Sequence, residues 1–340
     1  MPAAASLAPR REAHEPPEAR GLARDAVRML VASRTAGLAH ARVRELPDHL
    51  RAGDVVVVNT SATLPAALPA RCADGAPLRL HLSTPCGGRG RWVVELRDGG
   101  ERFAGARSGE RLTLPAGAHA TLLAPYLSGA RLWLAAIDTG SHGLLEYLAE
   151  HGAPIRYGYV ERPWPLADYQ TIFATQPGSA EMPSAGRPFT PELVTALVRR
   201  GIAVVPVTLH AGVSSQEAGE PPYPERYAVP APTARLVNAA RAGGGRVVAV
   251  GTTVVRALET VAAAGGQIAA GAGWTRHVVT PQSGVRAVDG LLTGWHEPDA
   301  THLLMLEAVG GRALVERSYA LALRHGYLWH EFGDVHLIVP

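Results

Sequence analysis

Residues Asp54–Asn59 read DVVVVN, and this run constrains the fold more than any other stretch of the chain. An unbroken series of β-branched residues suits a strand that is apolar on both faces, as in a sheet covered on both sides. Val27–Ala32 reads as a second strand of this kind, and Asp54–Asn59 is expected at the centre of the sheet. The segment from 27 to 59 is too short to cover two such faces by itself, so it needs strands and helices from later in the chain. The second half supplies them. Gly143–His151, Pro191–Arg200, Thr233–Ala242, Thr301–Val309 and Arg312–Arg324 have helical patterning. Thr190 is the expected N-cap of the second of these, with Glu192 in its first turn and Gly201 at its end. Ile202–Leu209, Val247–Val250, Asp289–Thr293 and His336–Val339 read as strands. Strand–helix alternation of this kind argues an α/β fold with a mostly parallel sheet.

The texture differs from Pro77 to about Asp138. Leu78–Leu82, Arg91–Leu96, Arg111–Leu114, Ala120–Ala124 and Arg131–Ile137 are short strand-like runs separated by Gly- and Pro-containing turns. That spacing fits a small antiparallel barrel or sandwich. Leu64–Arg71 reads as the Pro- and Ala-rich turn that leads into it. The expected organisation is an α/β domain made of residues 21–64 and 140–340, an all-β domain inserted at 65–139, and a mobile segment at 1–20.

Composition narrows the function classes. The 340 residues are 47% hydrophobic and 19% charged, a globular profile with ample material for a core. Every basic residue is Arg, spread along the whole chain, and the net charge is only +3, which permits a nucleic-acid partner without pointing to one. Cys72 and Cys86 imply no disulfide framework and no thiolate metal site. No apolar run reaches the ~18 residues needed to span a bilayer, and the N-terminus lacks the apolar core of a signal peptide. The expectation is a cytoplasmic, reduced protein.

Arg246–Thr260, RVVAVGTTVVRALET, reads as a buried strand, a Gly-Thr-Thr turn and a helix. Thr252 and Thr253 fall at the helix N-terminus, where hydroxyls cap and backbone N–H groups are free to meet a polar ligand. An ordinary capped helix would read the same. Two other strands end in similar clusters. Ile202–Leu209 runs into Thr208, His210, Gly212 and Ser214–Ser215, and Asp289–Thr293 into Thr293, Trp295, His296 and Glu297. Ligands of open α/β sheets bind outside the carboxyl ends of the strands, so three such ends predict one shared pocket. Tyr169 and Gln170, in the DYQT run Asp168–Thr171, suit stacking and hydrogen bonding to a heterocycle, and a strand or loop anchor would read the same. There is no P-loop, no HExxH and no GxSxG. Gly243–Gly245 precede a strand, the wrong side for a dinucleotide-binding turn. His325 and His330 flank Trp329 without a third ligand nearby in sequence.

These motifs together resemble one family, the S-adenosylmethionine:tRNA ribosyltransferase-isomerases of queuosine biosynthesis (QueA). The family pattern AVGTT-x-x-R-x-LE stands at Ala249–Glu259, YQT at Tyr169–Thr171, TLH-x-G at Thr208–Gly212 and DGL-x-T-x-x-H-x-P at Asp289–Pro298. The ending Tyr327–Ile338 and the segment Gly53–Ala66 are also similar to it, and the matches run in order along the chain. The resemblance implies that the inserted domain is an antiparallel β-barrel. It implies transfer of the ribosyl part of S-adenosylmethionine to a 7-aminomethyl-7-deazaguanine base in tRNA. That ribosyl is rearranged to an epoxycyclopentanediol, and adenine and methionine are released. S-adenosylmethionine is then a cosubstrate, tRNA the other partner, and no metal is expected. The same resemblance makes His210 and His296 the candidates for acid–base work, has Thr252, Thr253 and Arg256 position the donor, and has Tyr169, Gln170, Thr208 and Thr293 bind substrate. Arg256 can also be structural, paired with Glu259 one turn away.

The chain departs from the family pattern at several polar positions. Ala62 and Ala67 stand where arginines are expected, and Pro188 and Pro224 where histidines are expected; Gly294-Trp295 replaces Asn-Phe. An Arg that holds an anion is not replaced by Ala without losing a charge-assisted bond. Two alternatives to the tRNA reaction follow: a paralogue that uses S-adenosylmethionine on a small-molecule acceptor, and a non-catalytic nucleoside-binding protein.

Overall fold

The structure, a computed structural model, describes residues 11–88, 90–127, 131–213, 222–296 and 302–340. Its larger sheet has nine strands in the order Gly271–Thr275, Glu225–Val229, Ala203–Leu209, Val55–Asn59, Val247–Val250, Gly290–Gly294, Val335–Val339, Arg28–Ser33 and Gly37–Arg42. The four from Ala203–Leu209 to Gly290–Gly294 are mutually parallel. Antiparallel pairings flank them on both sides, so the sheet is mixed, with a parallel centre. The Val55–Asn59 strand lies inside that centre, as its sequence requires. Val55 and Val57 face one core with Val247 and Ala249, beneath the helices Ala231–Ala242, Thr252–Val261 and Arg312–Arg324. Val56 and Val58 face the other with Val248 and Val250, beneath the helix Pro191–Arg199. Period-two alternation on a strand that is apolar throughout thus feeds two cores at once.

The segment from Ala67 to Asp138 closes into a six-stranded antiparallel barrel. Its strands Leu132–Asp138, His119–Pro125, Arg111–Thr113, Ala67–Arg71, Pro77–Pro85 and Arg91–Asp98 pair in that order, and the last pairs with the first. Ala67–Arg71, read from sequence as part of a turn, is a barrel strand. Pro69 is tolerated because the strand is fully paired only with Pro77–Pro85 and meets Arg111–Thr113 at a single position. The outer face of the barrel, on the opposite side of its strands from the apolar interior of Leu80, Leu82, Val94 and Leu96, carries charge: Glu95, fully buried, lies 3.0 Å from Arg131, 3.1 Å from Arg97 and 3.6 Å from His81. Burial raises the pKa of that carboxyl, but His81, Arg97 and Arg131 more than offset this and hold it at about 2.

The expected mobile N-terminus is docked where it is described. Arg11–Glu12 pairs in parallel with Leu328–Trp329, Ala13 is buried, and Glu18 forms an ion pair with the buried Arg187 at 3.0 Å. The low hydrophobicity of this segment hid a few well-placed contacts; residues 1–10 lie outside the described residues. Cys72 and Cys86 are free thiols. Among the described residues, no helix is long and apolar enough to cross a membrane.

Asp54 locks the start of the central strand. Its carboxylate accepts from the Arg246 backbone N–H at 2.8 Å, from Arg246 Nη2 at 2.6 Å and from the Arg51 N–H at 2.9 Å. Burial acts against the charge, but the Arg246 bonds outweigh it and hold the Asp54 pKa below its ordinary value. Removing one partner of such a pair leaves the other uncompensated, so Asp54→Ala is expected to cost about 3–5 kcal/mol in urea unfolding. A carboxylate with a lowered folded pKa contributes stability above its unfolded pKa and loses it as pH falls through the folded one. The gap between wild type and Asp54→Asn should therefore narrow as the urea midpoint is followed to acidic pH. An unchanged gap would remove Asp54 as the lock.

Candidate active site

A cavity of about 880 Å³ lies between the carboxyl ends of the parallel strands and the barrel. On the sheet side, Gly251 turns the chain with φ of 95°, a conformation that favours glycine, and begins the helix Thr252–Val261. Gly251 itself is the N-cap, so the threonine hydroxyls do not cap the helix. Thr252 and Thr253 line the cavity, and Thr253 Oγ1 accepts a hydrogen bond from Asn59 Nδ2 at 3.2 Å. Arg256, one turn on, also lines it, but its partner is Glu225 rather than Glu259. Arg256 donates to the Tyr223 and His277 carbonyls at 3.0 and 3.2 Å as well. Glu259 instead accepts from the backbone N–H groups of Arg286 and Ala287 at 2.8–3.0 Å. Burial raises the Glu225 carboxyl pKa, with Arg256 opposing it.

The next strand end brings Thr293, Trp295 and His296 to the same cavity. His296 Nε2 lies 2.9 Å from Thr293 Oγ1, and its ring stacks on that of His302 with centroids 4.5 Å apart and planes 7° from parallel. Burial lowers the His296 pKa well below the usual range, with His302, His330 and His336 adding to the effect. Burial likewise brings His302 down to about 4, with Arg256 adding to the effect. Both imidazoles are therefore neutral at neutral pH. They can donate and accept hydrogen bonds to a heterocycle but are weak proton acceptors.

The far end of the cavity has a different chemistry. Tyr157, Tyr159, Tyr169, Glu181 and Glu331 converge there from separate loops. Tyr157 donates its phenolic hydrogen to Glu181, and Tyr159 to Glu331 at 2.6 Å. The His330 ring stacks on Tyr159 at 3.9 Å between centroids. Burial raises the Glu331 carboxyl to about 7; Tyr159 opposes the rise, and Glu181 adds to it. Apart from Tyr169, sequence reading missed this cluster, because its members lie up to 174 positions apart and no local motif joins Tyr157 to Glu331.

Three of the expected site residues do not line the cavity. Gln170 pairs through its amide with the Thr63 backbone at 2.8 and 2.9 Å. Thr208 hydrogen-bonds Thr60 across the sheet at 2.8 Å. His210 Nδ1 lies 2.8 Å from Ser61 Oγ, and its ring packs so close to Gly178 that a Cβ there would come within 2.4 Å of it. All three tie the strand ends to the loops that enter the barrel. Arg187 sits below the cavity, between Glu18 and Asp168. Of the departures from the family pattern, Pro224, Gly294 and Trp295 line the cavity, whereas Ala62, Ala67 and Pro188 do not. Ser214–Ser215 and Glu297–Pro298 lie outside the described residues.

Comparison with known proteins places this geometry. The family model described as queuosine biosynthesis protein matches residues 5–338. The chain belongs to this family. An S-adenosylmethionine:tRNA ribosyltransferase-isomerase of Moorella thermoacetica is 38% identical over 327 residues, covering 93% of this chain and 94% of the relative. One from Thermus thermophilus is 37% identical over 331 residues, with 93% of each chain covered. The crystal structure of S-adenosylmethionine tRNA ribosyltransferase from Thermotoga maritima matches 98% of both chains at 27% identity and a TM-score of 0.53. The queuosine-family motifs therefore meet in space: AVGTT-x-x-R and DGL-x-T-x-x-H contribute neighbouring walls of one cavity, while TLH-x-G supports them from behind.

Glu331 gives this site a pH-dependent stability of definite sign. Its folded pKa, about 7, lies above the 4.5 of an ordinary glutamate, so the folded state binds the extra proton and the ionised carboxyl destabilises it. That penalty is absent below about pH 4.5, grows through pH 7, and reaches on the order of 3 kcal/mol. Glu331→Gln should therefore raise the melting temperature at pH 8 and leave it nearly unchanged at pH 5. An equal effect at both values would contradict the assignment.

Proposed function

We propose that this chain transfers and isomerises the ribosyl part of S-adenosylmethionine onto a 7-aminomethyl-7-deazaguanine base in tRNA, in the cytoplasm. The carrying observation is the cavity itself. It places Thr252, Thr253, Arg256, Thr293 and His296, residues of two family motifs, around one space at the carboxyl edge of the parallel strands. The donor's sulfonium acidifies the adjacent carbon and so makes the ribosyl reactive. The chain's residues bind, orient and exclude water. Thr252 and Thr253, at the positive end of the helix dipole, hold polar atoms of the donor. Thr293, His296 and His302 meet the purine, where neutral imidazoles can hydrogen-bond both to the bound ring and to the departing adenine. Arg256 is committed to Glu225 and fixes the helix turn that carries the threonines. Tyr169 belongs to the wall opposite. Gln170, Thr208 and His210 act through backbone placement, so acid–base work is assigned away from His210. In this reading residues 65–139 are an inserted domain that closes the cavity over the α/β domain of residues 21–64 and 140–340.

The test is adenine release from S-adenosylmethionine in the presence of tRNA carrying the aminomethyl-deazaguanine base. His296→Ala should lower kcat by about a hundredfold or more. His210→Ala should lower the melting temperature while keeping kcat within about tenfold. Normal turnover by His296→Ala would remove that residue from the site. Donor binding with no adenine release on modified tRNA would reject the tRNA reaction itself.

A further inference from the structure

The tyrosine–glutamate end of the cavity has a requirement that the sheet end does not. Glu331 is half-buried, and its carboxylate accepts one phenolic hydrogen from Tyr159 and, among the described residues, has no cationic partner. Glu181 lies close enough to disfavour its charge further. The nearest aromatic faces are Tyr159, with His330 stacked on it, and Tyr157, whose ring is stacked 6.0 Å from that of Tyr159. Tyr169, only 3% exposed, lines the same end, and its hydroxyl has no hydrogen-bond partner. Glu12 lies 3.7 Å from His330, and Arg156, Asp168 and Arg187 act on the Tyr169 hydroxyl more weakly than Glu331 and in opposite senses. Two carboxylates, an unused phenol oxygen and π faces form the complement of a small cation with several N–H donors. An anion or a neutral apolar group would leave Glu331 uncompensated.

We propose that this end of the cavity is the subsite for a primary ammonium group of a ligand, with Glu331 as its anion, Tyr169 Oη as a second acceptor and the Tyr157 and Tyr159 rings as its walls. The assignment rests on the transferase reading above, in which both the donor's amino-acid part and the acceptor's aminomethyl arm carry such a group. An ammonium placed here favours the ionised carboxylate, so its binding should expel a proton from Glu331 at neutral pH. Glu181, Glu12, His330 and the three tyrosines are the other titratable groups at this end, and Asp168, Arg156 and Arg187 act on Tyr169.

The first measurement follows the Glu331 carboxyl by carbon-13 NMR in protein labelled at glutamate, using n-butylammonium chloride as probe and n-butanol as control. The Glu331 titration should move to lower pH with the ammonium and stay unchanged with the alcohol, and the signal should be missing from Glu331→Gln. A titration that ignores the ammonium overturns the assignment whatever the enzyme does with tRNA. The second measurement separates the sources of the group. If Glu331→Gln weakens S-adenosylmethionine binding by about tenfold or more and abolishes its rise in affinity through pH 7, the occupant is the donor's amino group. If donor affinity is unchanged and KM for the modified tRNA rises instead, the occupant is the acceptor's aminomethyl arm. If neither parameter moves, the subsite is rejected. Loss of adenine release with an intact n-butylammonium response would reject the tRNA reading alone.

Discussion

The Asn59 carboxamide connects the parts on which the cavity depends. It stands at the carboxyl end of the central strand, fully surrounded, and uses both of its polar atoms twice. Nδ2 donates to the Leu209 carbonyl at 2.8 Å and to Thr253 Oγ1 at 3.2 Å, while Oδ1 accepts from the Ser61 and Leu209 N–H groups at 3.0 Å. One side chain thus joins a neighbouring strand end, the first turn of the Thr252–Val261 helix and the segment that leaves for the barrel. The strand that carries it has no other way to make such links. Val55 to Val58 are spent on the two apolar cores, so only the strand's ends can carry polar connections. Asp54 performs the same service at the opposite end, through Arg246. Buried polar networks of this kind are costly when incomplete and rigid when complete, and both of these are complete.

That rigidity sets the cavity's floor; the barrel sets its roof. The two bodies are joined by backbone pairing between Ala67 and Ala153 at 2.9 Å in both directions and by the Val213 N–H bond to Ser83 Oγ at 3.1 Å. Arg97 reaches from the outer face of the barrel to the cavity while paired with Glu95. The barrel therefore does not present an apolar plug to the sheet edge. It presents a charged, internally compensated outer face, which suits a polar ligand held against it.

Much of this was legible in the sequence, and the failures have physical reasons. Strands whose residues are uniformly apolar, such as Val55–Asn59 and Val247–Val250, could be read because burial on both faces leaves one residue class. Thr190 could be read as a cap, and it accepts from the Leu193 N–H at 3.1 Å. Gly271–Thr275 could not be read as a strand, since GAGWT has two glycines and a single β-branched residue, Thr275, and pairs with Glu225–Val229. Ala67–Arg71 was hidden by its two small residues and Pro69. Of the residues picked by the rule that ligands meet strand ends, Thr252, Thr253, Thr293 and His296 line the cavity. Thr208 and His210 lie at a strand end but turn toward the loops behind it. Tyr157, Glu181 and Glu331 carry no local signal at all, because their proximity is created only by tertiary folding.

Burial does more in this cavity than exclude water; it inverts the usual order of the titrating groups. In water a carboxyl loses its proton about two pH units before an imidazolium does. Here desolvation pushes His302 down to about 4 and Glu331 up to about 7. Between those values the proton rests on the carboxyl at one end and is absent from the imidazole at the other. Both groups are then neutral, which is the cheapest state of an empty, low-dielectric space. A cationic ligand changes the balance at the carboxyl end first, since an ionised Glu331 gains a partner while a neutral histidine gains nothing from a positive charge. The cavity is thus polarised by where its chain segments come from: neutral hydrogen-bonding groups on the rigid strand ends, and latent negative charge on the loops that face them.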